Sequence, residues 1–137
     1  MPNSDEPPEI CVDRSFGQVI VPEALRQLEL RVHTEVSVFG HVPEGVPDAV
    51  WLERAGQEGW IVFTKDARIR YRVTEIGVLV QEGVKAFVLS GGNLSAPEQA
   101  LRFVRNINRI RQACRREGPF VFAVRAHGIE RLWPTET

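Results

Sequence analysis

An α/β fold, a three-layer α/β/α sandwich round a central, mainly parallel five-stranded sheet, is what this sequence predicts. Three observations carry that expectation. Short runs of β-forming residues alternate with helical stretches from about residue 10 to residue 125, the pattern of a parallel sheet with helices on both faces. The runs are mostly apolar, as strands buried on two sides must be. The chain has 137 residues, 43% of them hydrophobic, enough for a single core of useful size.

Each element has a local reason. Ile10-Cys11-Val12-Asp13 reads as a buried strand that ends in an acid. A helix follows to Leu28, with Pro22 in its first turn, where a missing N–H is no loss. Leu30 to Thr34 alternates apolar and polar residues, as a second strand does. Val36 to Pro47 carries Gly40, Pro43, Gly45 and Pro47 and reads as a loop. Asp48 opens a helix in which Val50, Trp51, Leu52 and Ala55 recur at helical spacing, and Gly59 stops it. Trp60 to Thr64 is a third strand, closed by Lys65-Asp66. Ala67 to Val80 is helical in part, with Gly77 as its weak point. Val84 to Leu89 is the fourth strand.

Ser90 to Asn93 forms a turn. Ser95 and Glu98 then make an S-x-x-E capping box with Pro97 inside the first turn. That helix runs to about Arg116 and presents Leu101, Val104, Ile107 and Cys114 as its expected core stripe. Phe120 to Arg125 is the fifth strand, and the tail has room for one short further strand around Ile129 to Trp133. Residues 1–9, acidic and proline-rich, read as a disordered lead. Residues 10–133 read as one domain and 134–137 as a tail.

Composition narrows the function. Formal net charge is −1, so a uniformly basic coat for nucleic acid is excluded. The charge is unevenly spread: residues 1–66 carry 5 Lys/Arg against 12 Asp/Glu, and residues 67–137 carry 12 against 6. An acidic site beside a basic surface is the expectation. No apolar run reaches membrane-spanning length. The start of the chain lacks the basic residues and apolar stretch of a secretion signal. Cys11 and Cys114 make no disulfide framework and read as reduced, buried thiols. A cytoplasmic location is expected.

Asp5, Asp13, Asp48 and Asp66 are the four aspartates. Asp13 closes the first strand, Asp66 closes the third, and Asp48 starts the helix leading into the third. In parallel sheets, functional groups gather beyond the C-terminal strand ends, so these three are placed to meet. Short, rigid carboxylates suit a small, hard cation such as Mg²⁺. Taken singly, each has a plainer role: Asp48 and Asp66 as helix-capping acids, and Asp13 as a turn acid or a partner of Arg14.

Val12-Asp13-Arg14-Ser15-Phe16-Gly17, Pro47-Asp48 with Trp51-Leu52 and Ala55, and Gly59 through Thr64-Lys65-Asp66 together resemble PIN-like domains. The similarity is greatest to the VapC-type toxin ribonucleases, with a strand-end Asp, a D-x-x-W-L helix and a T-x-D strand end. It spans roughly residues 10 to 125. The resemblance implies metal-dependent endonuclease activity on RNA, Mg²⁺ or Mn²⁺ as cofactor, a cognate antitoxin and homodimers. It makes Asp13, Asp48 and Asp66 the metal-binding acids and Thr64 the hydroxyl residue that positions them. One departure stands out. PIN nucleases commonly carry a fourth acid soon after the T-x-D aspartate, whereas here Ala67, Arg68, Ile69 and Arg70 follow and no acid occurs until Glu75. Glu35 and Glu98 are further acids that chain fold-back has to bring near.

Cationic groups beside these acids fit a phosphodiester substrate. Lys65 and Arg14 are placed to neutralise charge on a phosphate, or serve as ordinary surface charges. Arg68, Arg70 and Arg72 attract backbone phosphates without base specificity, and Tyr71 offers a face for an unpaired base. The arginine-rich helix ending near Arg116 is a solvated face, an RNA contact or a docking surface for an acidic antitoxin segment. His33, His41 and His127 do not cluster, and Trp51, Trp60 and Phe63 fit the core. Ser90-Gly91-Gly92-Asn93 is a plain turn or an anion site. Against the ribonuclease stands a catalytically inactive PIN-like RNA- or protein-binding module, favoured by the missing fourth acid. A phosphoacceptor receiver domain is excluded, because Arg14 and Ser15 follow Asp13 where paired acids belong and Arg125 stands in place of a lysine.

Overall fold

The computed structural model describes residues 7–135. In chain order these form β1 (Glu9–Val12), α1 (Ile20–Arg26), β2 (Arg31–Thr34), α2 (Glu35–Phe39), α3 (Asp48–Glu58), β3 (Ile61–Thr64), α4 (Val73–Glu82), β4 (Lys85–Leu89), α5 (Ala96–Ala113), β5 (Phe120–Arg125) and β6 (Gly128–Trp133). Two short 3₁₀ turns, Arg14–Phe16 and Ala67–Arg70, follow β1 and β3. The strands make one sheet in the order β2-β1-β3-β4-β5-β6, parallel throughout except for the antiparallel last pair.

Strand alternation distributes the core between two layers. Ile10, Val12, Phe63 and Phe87 point to the face covered by α1 and α5, where they meet Val21, Leu25, Phe103 and Ile110. Cys11, Val62, Ala86 and Val88 point to the face covered by α3 and α4, against Trp51, Leu52, Ala55 and Leu79. Phenylalanine rings bind the first face together. Phe63 stacks on Phe103 at 4.4 Å, and Phe87 meets Phe63 and Phe120 edge-on at 6.0 and 5.7 Å. Such pairs add to the burial of each ring.

Helix ends follow local chemistry. Gly59 takes a left-handed conformation (φ +76°) that closes α3. Ser95 accepts the Glu98 N–H at 3.3 Å, and its hydroxyl meets the Glu98 carboxylate at 2.8 Å, so the S-x-x-E signal marks the start of α5. Buried Asn106 donates to the carbonyls of Arg102 and Arg125, tying α5 to the end of β5.

Several details differ from the sequence expectation. The sheet has six strands rather than five, because Gly128–Trp133 pairs with β5 along its length. The expected loop after β2 begins with α2, whose box is built from Thr34 and Ser37: each side chain accepts the other's backbone N–H, at 3.1 and 2.8 Å. Serine in place of Glu or Gln hid that signal. On α5 the core stripe is Ala100, Phe103, Ile107, Ile110 and Ala113, while Leu101 is half exposed. Ile107 is common to the expected and observed stripes, and Cys114 packs partly buried beside them, but Ala100, Phe103 and Ala113 are buried one residue before Leu101, Val104 and Cys114. The expected disordered lead falls largely on residues 1–6, outside the described residues, and Glu9 already belongs to β1. Residues 136–137 of the expected tail also lie outside them. Cys11 is buried and Cys114 half buried, both free. Burial pushes the Cys114 thiol up to about 12, and burial followed by the Asp13 charge pushes Cys11 well upward. Among the described residues, no helix is long and apolar enough to cross a membrane.

Sheet order decides where a site can form. From β1 the chain turns to β2 on one side, then returns to place β3 on the other. The C-terminal ends of β1 and β3 therefore flank a topological switch point, where open α/β sheets carry their clefts.

Candidate functional site

Asp13 follows β1 directly, and its backbone N–H extends the β1–β3 ladder to Phe63 O at 2.9 Å. Its carboxylate accepts the Ser15 N–H on Oδ1 and the Thr64 hydroxyl on Oδ2, both at 2.9 Å. Thr64, the last residue of β3, is buried. Its Oγ1 also accepts the Asp66 N–H at 3.1 Å, so one hydroxyl joins the ends of two strands. A carboxylate has about four lone-pair positions, which leaves Asp13 with capacity toward the cleft.

Asp66 starts the 3₁₀ turn Ala67–Arg70. Its Oδ1 accepts from Arg68 N and Nε at 3.0 and 3.2 Å, and its Oδ2 accepts from Arg72 Nη1 at 2.7 Å. Burial alone would raise its pKa, but these donors outweigh it and hold the carboxyl below the ordinary range. Asp48 is the first residue of α3. Partial burial, then the charges of Asp13, Asp66 and Glu75, push its pKa up against the opposing charge of Arg72. The three aspartates predicted from sequence thus line one open cleft of about 400 Å³, with Ser15, Lys65 and Arg68.

Arg72 is the hub of the acids. Its Nη1 lies 2.7 Å from Asp66, 3.4 Å from Glu75 and 3.6 Å from Asp48. The sequence places it among phosphate-binding flanks; in the fold it neutralises the carboxylates. Glu75, nine residues after Asp66, is the next acid along the chain. The 3₁₀ turn and the first turn of α4 curl those nine residues back, and the side chain ends largely buried beside Arg72. The R-x-x-E spacing of Arg72 and Glu75, an i,i+3 pair on a helix end, was the available signal.

The other cationic positions divide. Lys65 lines the cleft, donates to Ser15 O at 3.0 Å and lies over the Phe16 ring at 5.2 Å. Arg68 lines the cleft through its contact with Asp66. Arg14 points to a second pocket of about 280 Å³ shared with Glu35 and His41, where its Nε stands 4.0 Å from Glu35. Glu35 is buried there and accepts the Val46 N–H at 3.1 Å. Arg70 and exposed Tyr71 pack on each other, with the guanidinium 4.4 Å over the ring. Glu98 is an exposed first-turn acid of α5. His33 stacks on Trp60 at 4.0 Å and bonds Glu9 at 2.7 Å, toward the opposite end of the strands. The Ser90 turn is held by Arg102 and Arg125.

Oxygen donors of charge −1 on short side chains are the set a hard divalent ion takes, and such an ion would offset the like charges of Asp13, Asp66 and Glu75 around Asp48. The donor chemistry fits. In their present arrangement the carboxylates are organised round Arg72. Among the described residues, no three His, Cys, Asp or Glu side chains stand at metal-holding spacing.

Comparison with known proteins agrees with this architecture. The model of the PIN like domain family matches residues 8–91. Over 124 residues, 90% of each chain, the sequence is 33% identical to "Putative ribonuclease VapC45" of Mycobacterium tuberculosis. No solved structure gives a significant match.

Proposed function

Since this chain belongs to the PIN-like domain family, we propose that it is a metal-dependent endoribonuclease, the toxin component of a toxin–antitoxin pair. The observation that supports this best is the shared cleft of Asp13, Asp48 and Asp66, drawn from β1, α3 and the end of β3. These three would hold Mg²⁺ or Mn²⁺. When bound, such an ion supplies an activated water at neutral pH and offsets charge on the phosphate.

The chain's own residues do the remaining work. Thr64 holds Asp13 and Asp66 in fixed relation through its two hydrogen bonds. Fixed geometry of this kind is worth orders of magnitude in rate. Lys65, tethered to the Ser15 carbonyl at the cleft wall, is placed to receive a phosphate oxygen. Arg68, three-quarters exposed, and Tyr71 with Arg70 offer the next contacts for a single strand. Arg14 serves the neighbouring pocket. The proposal includes a cognate antitoxin, a homodimer and a cytoplasmic setting.

A second reading, a catalytically inactive RNA- or protein-binding module, draws on the Arg72 contacts, which occupy the carboxylates a metal would need. One experiment separates the two. Purified protein is incubated with structured RNA in Mn²⁺ or in EDTA, beside Asp13→Asn. Cleavage that needs Mn²⁺ and Asp13 is expected. Cleavage by Asp13→Asn at the parent's rate removes the site assignment, and RNA binding without cleavage in any condition favours the inactive module.

A further inference from the structure

We propose that Arg72 is an internal counter-cation which a divalent ion must displace, so that this side chain sets how tightly the cleft takes its metal. The inference rests on reading the cleft as a divalent-ion site, and goes beyond it by assigning a competitor within the chain.

A single nitrogen, Arg72 Nη1, reaches oxygens of three carboxylates: Asp66 at 2.7 Å, Glu75 at 3.4 Å and Asp48 at 3.6 Å. The contact with Asp66 is a short hydrogen bond, that with Glu75 a long one, and that with Asp48 is held by charge. A guanidinium nitrogen has two protons at most, so it cannot serve three acceptors well. A divalent ion carries twice the charge and approaches carboxylate oxygens to about 2.1 Å. Where both are available, the ion gains more from the same oxygens than the guanidinium does.

Arg72 is built to yield. It is the residue before α4, its side chain makes no capping bond, and 37% of that side chain is exposed. Releasing it leaves the helix and both core layers in place. The neighbouring cations are not equivalent. Lys65 is tied to the Ser15 carbonyl and the Phe16 ring. Arg68, 75% exposed, meets Asp66 Oδ1, the oxygen that Arg72 does not take. In the metal-free protein the role of Arg72 is to keep Asp48, Asp66 and Glu75 from repelling one another.

The test measures Mn²⁺ binding by calorimetry, together with melting temperature in EDTA and in Mn²⁺, for the parent, Arg72→Gln and Arg72→Lys. Removing the competing charge-assisted contact is expected to tighten Mn²⁺ binding about tenfold or more in Arg72→Gln. The same variant should melt lower than the parent in EDTA and show a larger rise with Mn²⁺. Arg72→Lys should remain close to the parent. Unchanged or weaker Mn²⁺ affinity in Arg72→Gln overturns the proposal. Should Arg72→Gln fail to fold in EDTA, the parent's Arg72 side-chain N–H resonance is followed during a Mg²⁺ titration. Movement to the solvent-exposed position supports displacement, and a stationary signal with Mg²⁺ bound refutes it. Absence of Mn²⁺ binding in the parent and both variants overturns the metal-site reading itself, and the exchange with it.

Discussion

Replacing Thr64 with valine keeps the shape of a buried side chain and removes one oxygen. That oxygen donates to Asp13 Oδ2 at 2.9 Å and accepts from Asp66 N at 3.1 Å. A hydrogen bond to a charged group contributes about 1.5–3 kcal/mol, and a partly buried orphan N–H costs about 1 kcal/mol. The added methyl returns somewhat under about 1 kcal/mol by burial. The expected net loss is about 2–3 kcal/mol, which lowers the melting temperature of a chain this size by roughly 6–12 °C. Thr64→Ser keeps both bonds and loses one methyl, at about 1 kcal/mol. On RNA cleavage the order should be the same. Loosening Asp13 and Asp66 by about an ångström is expected to cost ~100-fold in kcat/KM, while serine stays within a few-fold of the parent. Thermal melts and cleavage assays on the two variants make the comparison. If valine melts as high as serine, the hydroxyl is not what joins the strand ends, and the positioning role assigned to Thr64 is wrong.

Two further outcomes follow from the same geometry. In EDTA, Asp66→Asn and Asp48→Asn should change stability in opposite directions. The Asp66 pKa is depressed, so its contribution is present above the ordinary carboxylate range and lost as pH falls through its lower folded value. The Asp48 pKa is raised, so its contribution is present at low pH and lost as pH rises through its higher folded value. Near neutrality the first variant should melt below the parent and the second at or above it; shifts of equal sign across a pH 3–7 melting series would contradict the assigned charge environment. In α3, Gly56→Ala should destabilise by about 1–3 kcal/mol through overpacking, even though alanine is the better helix former. The new methyl would clash with Glu82 Cβ and come within 3.2 Å of its carbonyl oxygen on α4. A denaturant melt showing Gly56→Ala to be stabilised would mean that the two helices separate without cost.

The alternation of strands and helices, and with it the layered α/β class, is readable from the order of residues alone. Apolar runs of four to six residues have few other homes, and Gly59 and Ser95 mark helix ends by backbone conformation and capping that act within a few residues. The sequence also points to Asp13 and Asp66 at strand ends and Asp48 at a helix start as candidates to share one edge of a parallel sheet, while Thr64 enters through the resemblance to PIN-like domains. What it left open depends on atoms far apart in the chain. Of the overlapping apolar rows that α5 offers, the one through Phe103 and Ile110 is buried because it meets Phe63 and its strand partners. The sixth strand depends on hydrogen bonds that only β5 can offer. The largest change of meaning concerns Arg72 and Glu75. Charge patterning along a sequence shows that basic residues lie near acidic ones, but Coulomb energy depends on distance in space. Only the tertiary fold, by curling the chain after β3 over the end of α3, brought one guanidinium against Asp48, Asp66 and Glu75 and turned an apparent substrate contact into the counter-charge of the site.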